Sequence, residues 1–344
     1  MTTMTNTAIV LLAAGQGTRM NSKYQKILHE VGGKPMVLHL FEAAEAVANV
    51  PPVVVVGPGG DGVRQLLGDR ANYVVQAEQM GTGHAALMAQ PVLAGQTAQV
   101  IITYGDMPLL RRETLHRLAD TQAETGATIV MLSVLGSPAS SFGRVVRGEN
   151  ERVVEIVEVA EAKKRPNPDT FLNIRELNAG VYCFEAHWLW AHVDKLPLRQ
   201  ARSGPEYYLT DLIETAVSQN RHVEAIITDD PDECLGAGTR AEMVAVEKAF
   251  RRRANRRWLN NGVTLIDPDT TYIDPDVVIG QDTVIWPNSY IQGDSTIGED
   301  CVIGPNTIIR SATIGNGCRV VQSTIEHVFV ADGQQVGPFA YVQE

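Results

Sequence analysis

The stretch Ala8 to Leu28, AIVLLAAGQGTRMNSKYQKIL, decides the fold of the first part of the chain. Its first residues, Ala8 to Leu12, form an apolar run typical of a buried strand, and the run breaks at once into small residues. Gly15 and Gly17 allow backbone N–H groups to face an anion, and Lys26 brings positive charge to the same end of the strand. The pattern predicts a strand followed by a phosphate-binding loop.

Two better-known glycine loops do not fit this stretch. A dinucleotide fingerprint requires a third glycine where Met20 stands, and an acidic residue after the second strand. Here the second strand, Val53 to Val56, runs into Gly57 and Pro58 instead. A P-loop ends in Gly-Lys-Ser/Thr, which this loop lacks. The sequence therefore argues against a Rossmann oxidoreductase and a P-loop NTPase.

Composition limits the class of protein. A chain of 344 residues is long for one core, so two domains are expected, and 44% hydrophobic with 20% charged residues is ordinary for a globular protein. No apolar stretch is long enough to span a bilayer, and we expect a cytoplasmic protein with no membrane partner. The net charge of −11 argues against nucleic acid as a partner. The four cysteines lack CxxC spacing, which fits neither a zinc site nor a disulfide framework.

Apolar strand-like runs alternate with helix-like segments through the first two thirds of the chain. This alternation favours an α/β fold with a mostly parallel sheet, and ligands of such sheets bind beyond the carboxyl ends of the strands. The predicted strands are Ala8–Leu12, Val53–Val56, Tyr73–Val75, Val100–Tyr104 and Thr128–Val134. The predicted helices begin at Pro35 and cover His84–Leu93 and Glu113–Thr125.

Two further segments place polar groups at this edge of the sheet. Asp106 follows a predicted strand, where its carboxylate suits a hard cation such as Mg²⁺, although such an aspartate can also form a turn before Pro108. The segment Gln76 to His84, QAEQMGTGH, lies between a strand and a helix. Its Gln76 amide can hydrogen-bond a pyrimidine base, and His84 at a helix start is compatible with a cap or a packing role.

Six motifs in this order resemble one family, the bacterial N-acetylglucosamine-1-phosphate uridylyltransferases. They are AAGQGTRM followed by SKYQKILH, QAEQMGTGHA, YGDMPL, FGRVV, LNAGVY and GPEYYLTD. The resemblance implies a Rossmann-like nucleotidyltransferase domain that joins UTP to a sugar 1-phosphate with the help of Mg²⁺. It implies catalytic roles for Arg19 and Lys26 and a metal-binding role for Asp106. It also implies nucleotide binding by Leu12, Ala13, Ala14, Gly15, Gln76, Gly81 and Thr82, and sugar binding by Tyr104, Gly143, Glu158, Asn178 and Glu206.

The chain departs from the family pattern in two places. After Ile156-Val157 the family usually carries an acidic residue and a lysine, and here Glu158 is present but Ala160 stands at the lysine position. The second metal ligand of the family is an asparagine, and Gly238 stands there instead. Either water or a carboxylate such as Asp229 completes the metal shell, or metal binding is weakened.

The last third of the chain contains a repeat. Isoleucines recur every six residues at positions 273, 279, 285, 291, 297, 303 and 309, and the phase slips at Ile314 and Ile325. A period of six predicts a hexapeptide β-helix with one isoleucine per face in its core. We therefore expect three parts: a nucleotidyltransferase domain at 1–238, a linker helix at 239–261 and a short left-handed β-helix at 262–344. The resemblance suggests a homotrimer formed through the β-helix, without the coils of an acetyltransferase.

The leading hypothesis is that the protein forms UDP-N-acetylglucosamine and pyrophosphate from UTP and N-acetylglucosamine 1-phosphate. Two alternatives stay open. The enzyme could use another sugar 1-phosphate, or the chain could be a non-catalytic regulatory protein that binds sugar nucleotides, as the glycine at position 238 suggests.

Overall fold

A computed structural model describes residues 6–137, 140–148, 151–201 and 204–343. The chain forms two compact units: the first comprises Met1–Leu28 and Met36–Thr239, and the second comprises His29–Pro35 and Arg240–Glu344. The second unit thus takes a short segment from within the sequence of the first.

The first unit is built around a nine-stranded sheet. Numbered along the chain, the strands of this unit are β1 (Thr7–Ala13), β4 (Val53–Val56), β5 (Asn72–Val75), β6 (Gln99–Tyr104), β7 (Ile129–Leu135), β8 (Arg144–Arg147), β9 (Val153–Val157), β10 (Glu176–Glu185), β11 (Leu198–Ala201), β12 (Gly204–Tyr207) and β13 (Val223–Ile227). The intervening β2 (Glu30–Val31) and β3 (Lys34–Pro35) belong to the second unit.

The main path of the sheet runs β13-β7-β10-β6-β1-β4-β5, with β8 and β9 off this path, and β11 and β12 form a separate two-stranded sheet. Strands β6, β1, β4 and β5 are parallel, as are β13 and β7, whereas β10 is antiparallel to both of its neighbours. The expected α/β fold with a mostly parallel sheet is confirmed, and β10 is its one reversed strand on the described path. The sequence gives no sign of this reversal, because a strand buried on both faces is apolar in either direction.

Helices cover both faces of this sheet and create two apolar cores. Ala8 and Val10 of β1 contribute to one core, and Ile9 and Leu11 to the other. Burial on both sides explains why β1 is apolar without alternation. The helices are α1 (Met36–Glu45), α2 (Asp61–Leu67), α3 (Thr82–Leu87), α4 (Gln90–Leu93), α5 (Arg112–Thr125), α6 (Val159–Ala162), α7 (Pro168–Leu172), α8 (Ala186–His192) and α9 (Asp211–Ser218).

Two of the helix predictions were wrong. Pro35 is the last residue of β3, and α1 begins one residue later at Met36. The segment predicted as one helix from His84 to Leu93 is two short helices, α3 and α4, and α4 carries a proline in its first turn. Proline lacks an N–H group, so it starts a new helix more readily than it continues an old one.

The second unit combines the β2–β3 hairpin, helix α10 (Arg240–Asn260) and a parallel β-helix. The strands stack into three parallel sheets. They are β14 (Thr264–Leu265), β15 (Thr271–Ile273), β16 (Val278–Ile279), β17 (Val284–Ile285), β18 (Ser289–Gln292), β19 (Thr296–Ile297), β20 (Val302–Ile303), β21 (Ile308–Arg310), β22 (Thr313–Ile314), β23 (Arg319–Val320), β24 (Thr324–Glu326), β25 (Phe329–Val330), β26 (Gln335–Val336) and β27 (Tyr341–Gln343).

The six-residue isoleucine repeat forms the core of the β-helix. All seven predicted isoleucines are buried, and the outward neighbours that precede them are more exposed. The phase slip shortens the coil without breaking the ladder. Ile291 pairs with Ile309, and Ile309 pairs in register with Ile325 although fewer residues separate the second pair. The later coils are therefore shorter yet stay in register.

The four cysteines are buried free thiols. Burial raises the pKa of the Cys234 thiol to about 12 and also raises that of Cys301, so both are unreactive at neutral pH. No helix within the described ranges is long and apolar enough to cross a membrane.

Candidate active site

The carboxyl ends of β1 and β6 form the base of the candidate site. Leu12 of β1 pairs in register with Tyr104 of β6, and the Gly105 N–H donates to the Leu12 carbonyl at 2.9 Å. The glycine loop after β1 and the aspartate turn after β6 therefore lie next to each other. This is the edge at which open α/β sheets bind ligands.

The glycine loop brings Lys26 to Asp106. Gly17 has a φ of +64°, and a Cβ at this position would lie only 2.5 Å from the Cβ of Lys26. The missing side chain lets the chain fold back, and Lys26 Nζ lies 2.5 Å from Asp106 Oδ2. Only 17% of the Lys26 side chain and 19% of the Asp106 side chain are exposed. The pair is therefore partly desolvated, and its charges act strongly on each other.

In the rest of the glycine loop, the backbone is accessible at Gly15. Ala13 and Ala14 are buried, whereas Gly15 is exposed and a Cβ there would meet no atom within 4 Å. Arg19 is exposed on the 3₁₀ turn Thr18–Met20 and forms no hydrogen bond or ion pair with a described residue. The loop thus offers open backbone and a free cation to an anionic ligand.

The segment that contains Gly238 lies against Asp106. The Ala237 N–H donates to the Asp106 carbonyl at 3.2 Å, and a Cβ on Gly236 would lie 3.8 Å from Asp106 Oδ2. An ion pair supports this arrangement, because Arg111 Nε donates to Oε1 of the fully buried Glu233 at 2.7 Å. Arg111 and Glu233 were missed from the sequence, since nothing local links residues so far apart along the chain.

Asp106 offers a carboxylate here for a divalent cation. In the described part of the chain no three His, Cys, Asp or Glu residues group as a metal cluster. Asp229 does not join Asp106: it follows β13, three strands from β6, and its exposed carboxylate lies 3.4 Å from Arg117 Nη1. A single carboxylate fits Mg²⁺, which is often held by one or two carboxylates together with substrate phosphates and water.

The predicted base-binding residues surround one tight turn. Gln76 is 3% exposed, and its Nε2 donates to the Gly81 carbonyl at 3.0 Å and lies 3.2 Å from His84 Nδ1. Gly81 has a φ of +92°, and a Cβ there would lie 2.6 Å from the Tyr207 carbonyl oxygen. The Thr82 hydroxyl accepts from the Leu209 N–H at 3.0 Å, so it supports the turn. A glycine is required at position 81 by both backbone angle and space.

The segment predicted to bind the base also contacts the glycine loop. Gln79 Nε2 donates to the carbonyl of Ala14. This contact joins the end of β1 to the turn after β5, although the strands lie two positions apart in the sheet. Gln79 was not predicted as a site residue, because a glutamine in a polar loop carries no distinctive local signal.

Two of the predicted sugar-binding residues, Gly143 and Asn178, contact each other. The Asn178 N–H donates to the Gly143 carbonyl at 2.9 Å, and Asn178 Oδ1 accepts from the Tyr182 hydroxyl at 2.9 Å and the Gly180 N–H at 3.0 Å. The last two contacts use the oxygen of the Asn178 side-chain amide. The amide nitrogen has no described hydrogen-bond partner and can donate to a ligand.

Glu158 lies beside this group. A Cβ on Gly143 would be 3.1 Å from Glu158 Oε1, so the glycine makes room for the carboxylate. Burial raises the pKa of Glu158, Glu161 adds to this effect and Arg144 opposes it. The Arg144 guanidinium is itself buried and donates to the Ser140 carbonyl at 3.0 Å. Arg144 shapes the loop that carries Gly143.

Tyr104 connects the parts of the site. Burial raises its pKa, and Glu158 and then Asp106 add to this effect. Its ring packs on Gly180, where a Cβ would lie 2.2 Å from Tyr104 Cε2. Glu206 lies across the turn from these residues, with its Cβ 3.0 Å from the place of a Cβ on Gly81. The first unit thus brings the predicted nucleotide and sugar residues around the ends of its central strands.

Two family models match the chain. One, described as a MobA-like NTP transferase domain, matches residues 9–205, and the other, described as the bacterial transferase hexapeptide (six repeats), matches residues 276–311. The first match covers more than half of the chain and contains the glycine loop and Asp106. The second falls within the β-helix.

Several relatives match almost the whole chain. Bifunctional protein GlmU of Clostridium perfringens is 44% identical over 340 residues, which is 98% of this chain and 73% of that protein. The protein of the same name from Exiguobacterium sibiricum is 40% identical over 97% of this chain and 73% of its own length. That of Bacillus subtilis is 40% identical over 97% of this chain and 72% of its own length. The first unit is a nucleotidyltransferase domain, and the chain belongs to the GlmU family.

Proposed function

We propose that the protein transfers a uridylyl group from UTP to N-acetylglucosamine 1-phosphate and so forms UDP-N-acetylglucosamine and pyrophosphate. The observation that carries this proposal is the Lys26–Asp106 pair beside an open glycine loop, at the edge of the sheet. Residues suited to a pyrimidine base flank it on one side, and residues suited to a sugar flank it on the other.

The proposed chemistry needs positioning and charge neutralisation. A phosphate oxygen of the sugar 1-phosphate attacks the α-phosphorus of UTP, a new P–O bond forms, and the bond to pyrophosphate breaks. The second pKa of a phosphate monoester is about 6, so the nucleophile is already anionic at neutral pH and no general base is needed. Arg19 and Lys26 would hold the phosphates, and the backbone of Leu12 to Gly15 would line the triphosphate.

The metal is proposed to be Mg²⁺, held by Asp106. When bound, it would supply positive charge to the phosphates. Gly238 contributes no side chain, so we expect substrate and water to provide most of its ligands. We predict that Gly238→Asn lowers the Mg²⁺ concentration needed for half-maximal rate, because it adds an amide oxygen to the segment that packs against Asp106. Gly238→Ala fills the same space without an oxygen, and an equal effect of both variants would contradict the prediction.

The sugar is proposed to be N-acetylglucosamine 1-phosphate. Gly143, Glu158 and Asn178 lie together, and a carboxylate with an amide donor can bind hydroxyl and acetamido groups. Glu206 of β12 packs against the turn that contains Gly81. Tyr104 lies near both Glu158 and Asp106, since the charges of these two carboxylates add to the effect of burial in raising its pKa.

The proposal is tested by measuring pyrophosphate release from UTP with Mg²⁺ and a panel of sugar 1-phosphates. We expect the highest kcat/KM with N-acetylglucosamine 1-phosphate and no release without a sugar phosphate. Faster release with glucose 1-phosphate would support the alternative substrate. Tight UTP binding without release for any sugar would support the regulatory alternative, which the glycine at position 238 favours.

We also propose that the protein is a cytoplasmic homotrimer formed through the β-helix. In support, Tyr290 and Tyr341 are exposed on one sheet of the β-helix, and Phe329 is exposed on another. Sedimentation equilibrium gives the number of chains. The expected lack of acetyltransferase activity stays a prediction.

A further inference from the structure

Both side-chain amide protons of Gln76 are directed at acceptors within the protein. Nε2 lies 3.0 Å from the Gly81 carbonyl oxygen and 3.2 Å from His84 Nδ1. A backbone carbonyl can only accept a hydrogen bond, so the amide atom that faces it must be the nitrogen. The hydrogen bond to the Gly81 carbonyl therefore fixes the orientation of the Gln76 amide.

The same geometry fixes the state of His84. One amide proton goes to the Gly81 carbonyl, and the other points to Nδ1, which must therefore carry a lone pair. The imidazole is then neutral, with its proton on Nε2. A proton on Nδ1 would face the amide N–H group and would push the Gln76 amide towards the opposite orientation.

The remaining atom of the amide is the acceptor. No described residue donates to Gln76 Oε1, although the side chain is 3% exposed. This oxygen is not among the fully buried unpaired polar atoms of the described residues, so a ligand can reach it and donate to it. Uracil offers a ring N–H flanked by two carbonyls, whereas cytosine offers a ring lone pair at the same position. An acceptor oxygen therefore complements uracil and opposes cytosine.

We propose that His84 is a positioning residue that determines base specificity: its unprotonated Nδ1, together with the Gly81 carbonyl, turns Gln76 Oε1 towards the base. This inference rests on the proposed function, because it concerns how UTP is chosen over CTP. His84 does not contact the base. It acts through Gln76.

The test compares UTP and CTP in the wild type, His84→Phe and His84→Asn. Phenylalanine keeps a ring without a lone pair, and asparagine can present an oxygen close to the position of Nδ1. The ratio of Kd for CTP to Kd for UTP, measured by calorimetry, should fall about fivefold to tenfold in His84→Phe. His84→Asn should retain most of the wild-type ratio. Equal weakening of both nucleotides, or an unchanged ratio in His84→Phe, would overturn the proposal.

A second measurement does not depend on nucleotide binding by a variant. Nitrogen NMR of isotope-labelled histidine in the wild-type protein should show His84 as the neutral tautomer with a proton on Nε2. The signal is assigned by its loss in His84→Phe, and a proton on Nδ1 would exclude the proposed role. The proposed function fails separately, if the wild type binds UTP but releases no pyrophosphate with any sugar 1-phosphate.

Discussion

At the scale of single residues, the Lys26–Asp106 ion pair is the central feature of the candidate site. Its two atoms are 2.5 Å apart, and each side chain is mostly buried. Lys23, three residues earlier, is exposed and lies over the ring of Tyr24. The two lysines of one loop thus have different surroundings, and this difference allows a matched comparison.

We predict that Lys26→Met lowers kcat/KM for pyrophosphate release by about a hundredfold or more, because a preorganised charge at the phosphates is lost. Lys23→Met should change the rate by less than about threefold, since an exposed charge is screened by water and salt. Steady-state kinetics with circular dichroism checks both variants. Similar losses in the two variants would show that the loop needs net charge rather than the Lys26 contact.

A second prediction concerns Glu158 and pH. Burial raises the pKa of this carboxyl, so the folded state binds a proton more readily than the unfolded state. Stability is therefore lost as pH rises from the ordinary glutamate pKa through the raised value. Glu158→Gln should unfold at higher urea concentration than the wild type at neutral pH, and the gain should vanish below the ordinary glutamate pKa. The same variant should raise KM for the sugar 1-phosphate, and a stability gain that persists in acid would contradict the assignment.

At the scale of elements, the glycine loop requires a glycine at position 17 but not at position 15. Gly17 has a positive φ and faces the Lys26 Cβ, whereas a Cβ on Gly15 would meet open space. Alanine at position 17 must adopt a left-handed conformation, which costs about 1–2 kcal/mol. The loop can absorb this strain only by moving the segment that carries Lys26.

We therefore predict that Gly17→Ala lowers the free energy of unfolding by about 1–2 kcal/mol and also lowers kcat. Gly15→Ala should leave the free energy of unfolding within about 0.5 kcal/mol of the wild type. Urea unfolding of both variants checks the prediction. An equal loss of stability at the two positions would show that neither backbone angle nor the Lys26 contact is the cause.

Elements with a strong local period could be predicted from the sequence. The isoleucines spaced by six are buried in the β-helix, and the apolar run at Ala8 to Leu12 lies within β1, as predicted. Motif residues such as Asp106 could be predicted too, because an acidic residue after a buried strand falls at the sheet edge. Their roles in binding and catalysis stay predictions.

Contacts between distant segments could not be predicted. Gln79 reaches the Ala14 carbonyl, and Arg111 reaches Glu233, across separations that no local pattern records. Likewise the sequence HEVGGKP, residues 29–35, contains only short turn signals. Its place in the second unit depends on residues more than two hundred positions later, such as Glu247, which accepts from the Gly32 N–H at 2.8 Å.

At the scale of the whole molecule, the two units are interlaced in sequence. The hairpin of residues 29–35 belongs to the second unit, yet it follows Leu28 and precedes Met36 of the first. Within the second unit the hairpin fits closely against α10, since a Cβ on Gly32 would lie 2.1 Å from the Phe250 ring. The second unit is therefore incomplete without a segment from the first part of the chain.

We predict that cutting the chain at a protease site placed between Thr239 and Arg240 leaves two fragments that elute together in gel filtration. The N-terminal fragment retains the hairpin, and the C-terminal fragment retains Glu247 and Phe250, which hold it. Gly32→Ala should weaken this association, because its side chain would collide with Phe250 and Gly32 has a φ of +55°. Free separation of the cut fragments would contradict the prediction.

The interlaced hairpin also restricts how such chains can recombine. A crossover between two related genes at the codon for residue 239 would join one parent's hairpin to the other parent's α10. The close fit of Gly32 to Phe250 would then depend on both parents carrying matching residues at these places. Chimeras that exchange the C-terminal unit should therefore carry residues 29–35 from the same parent.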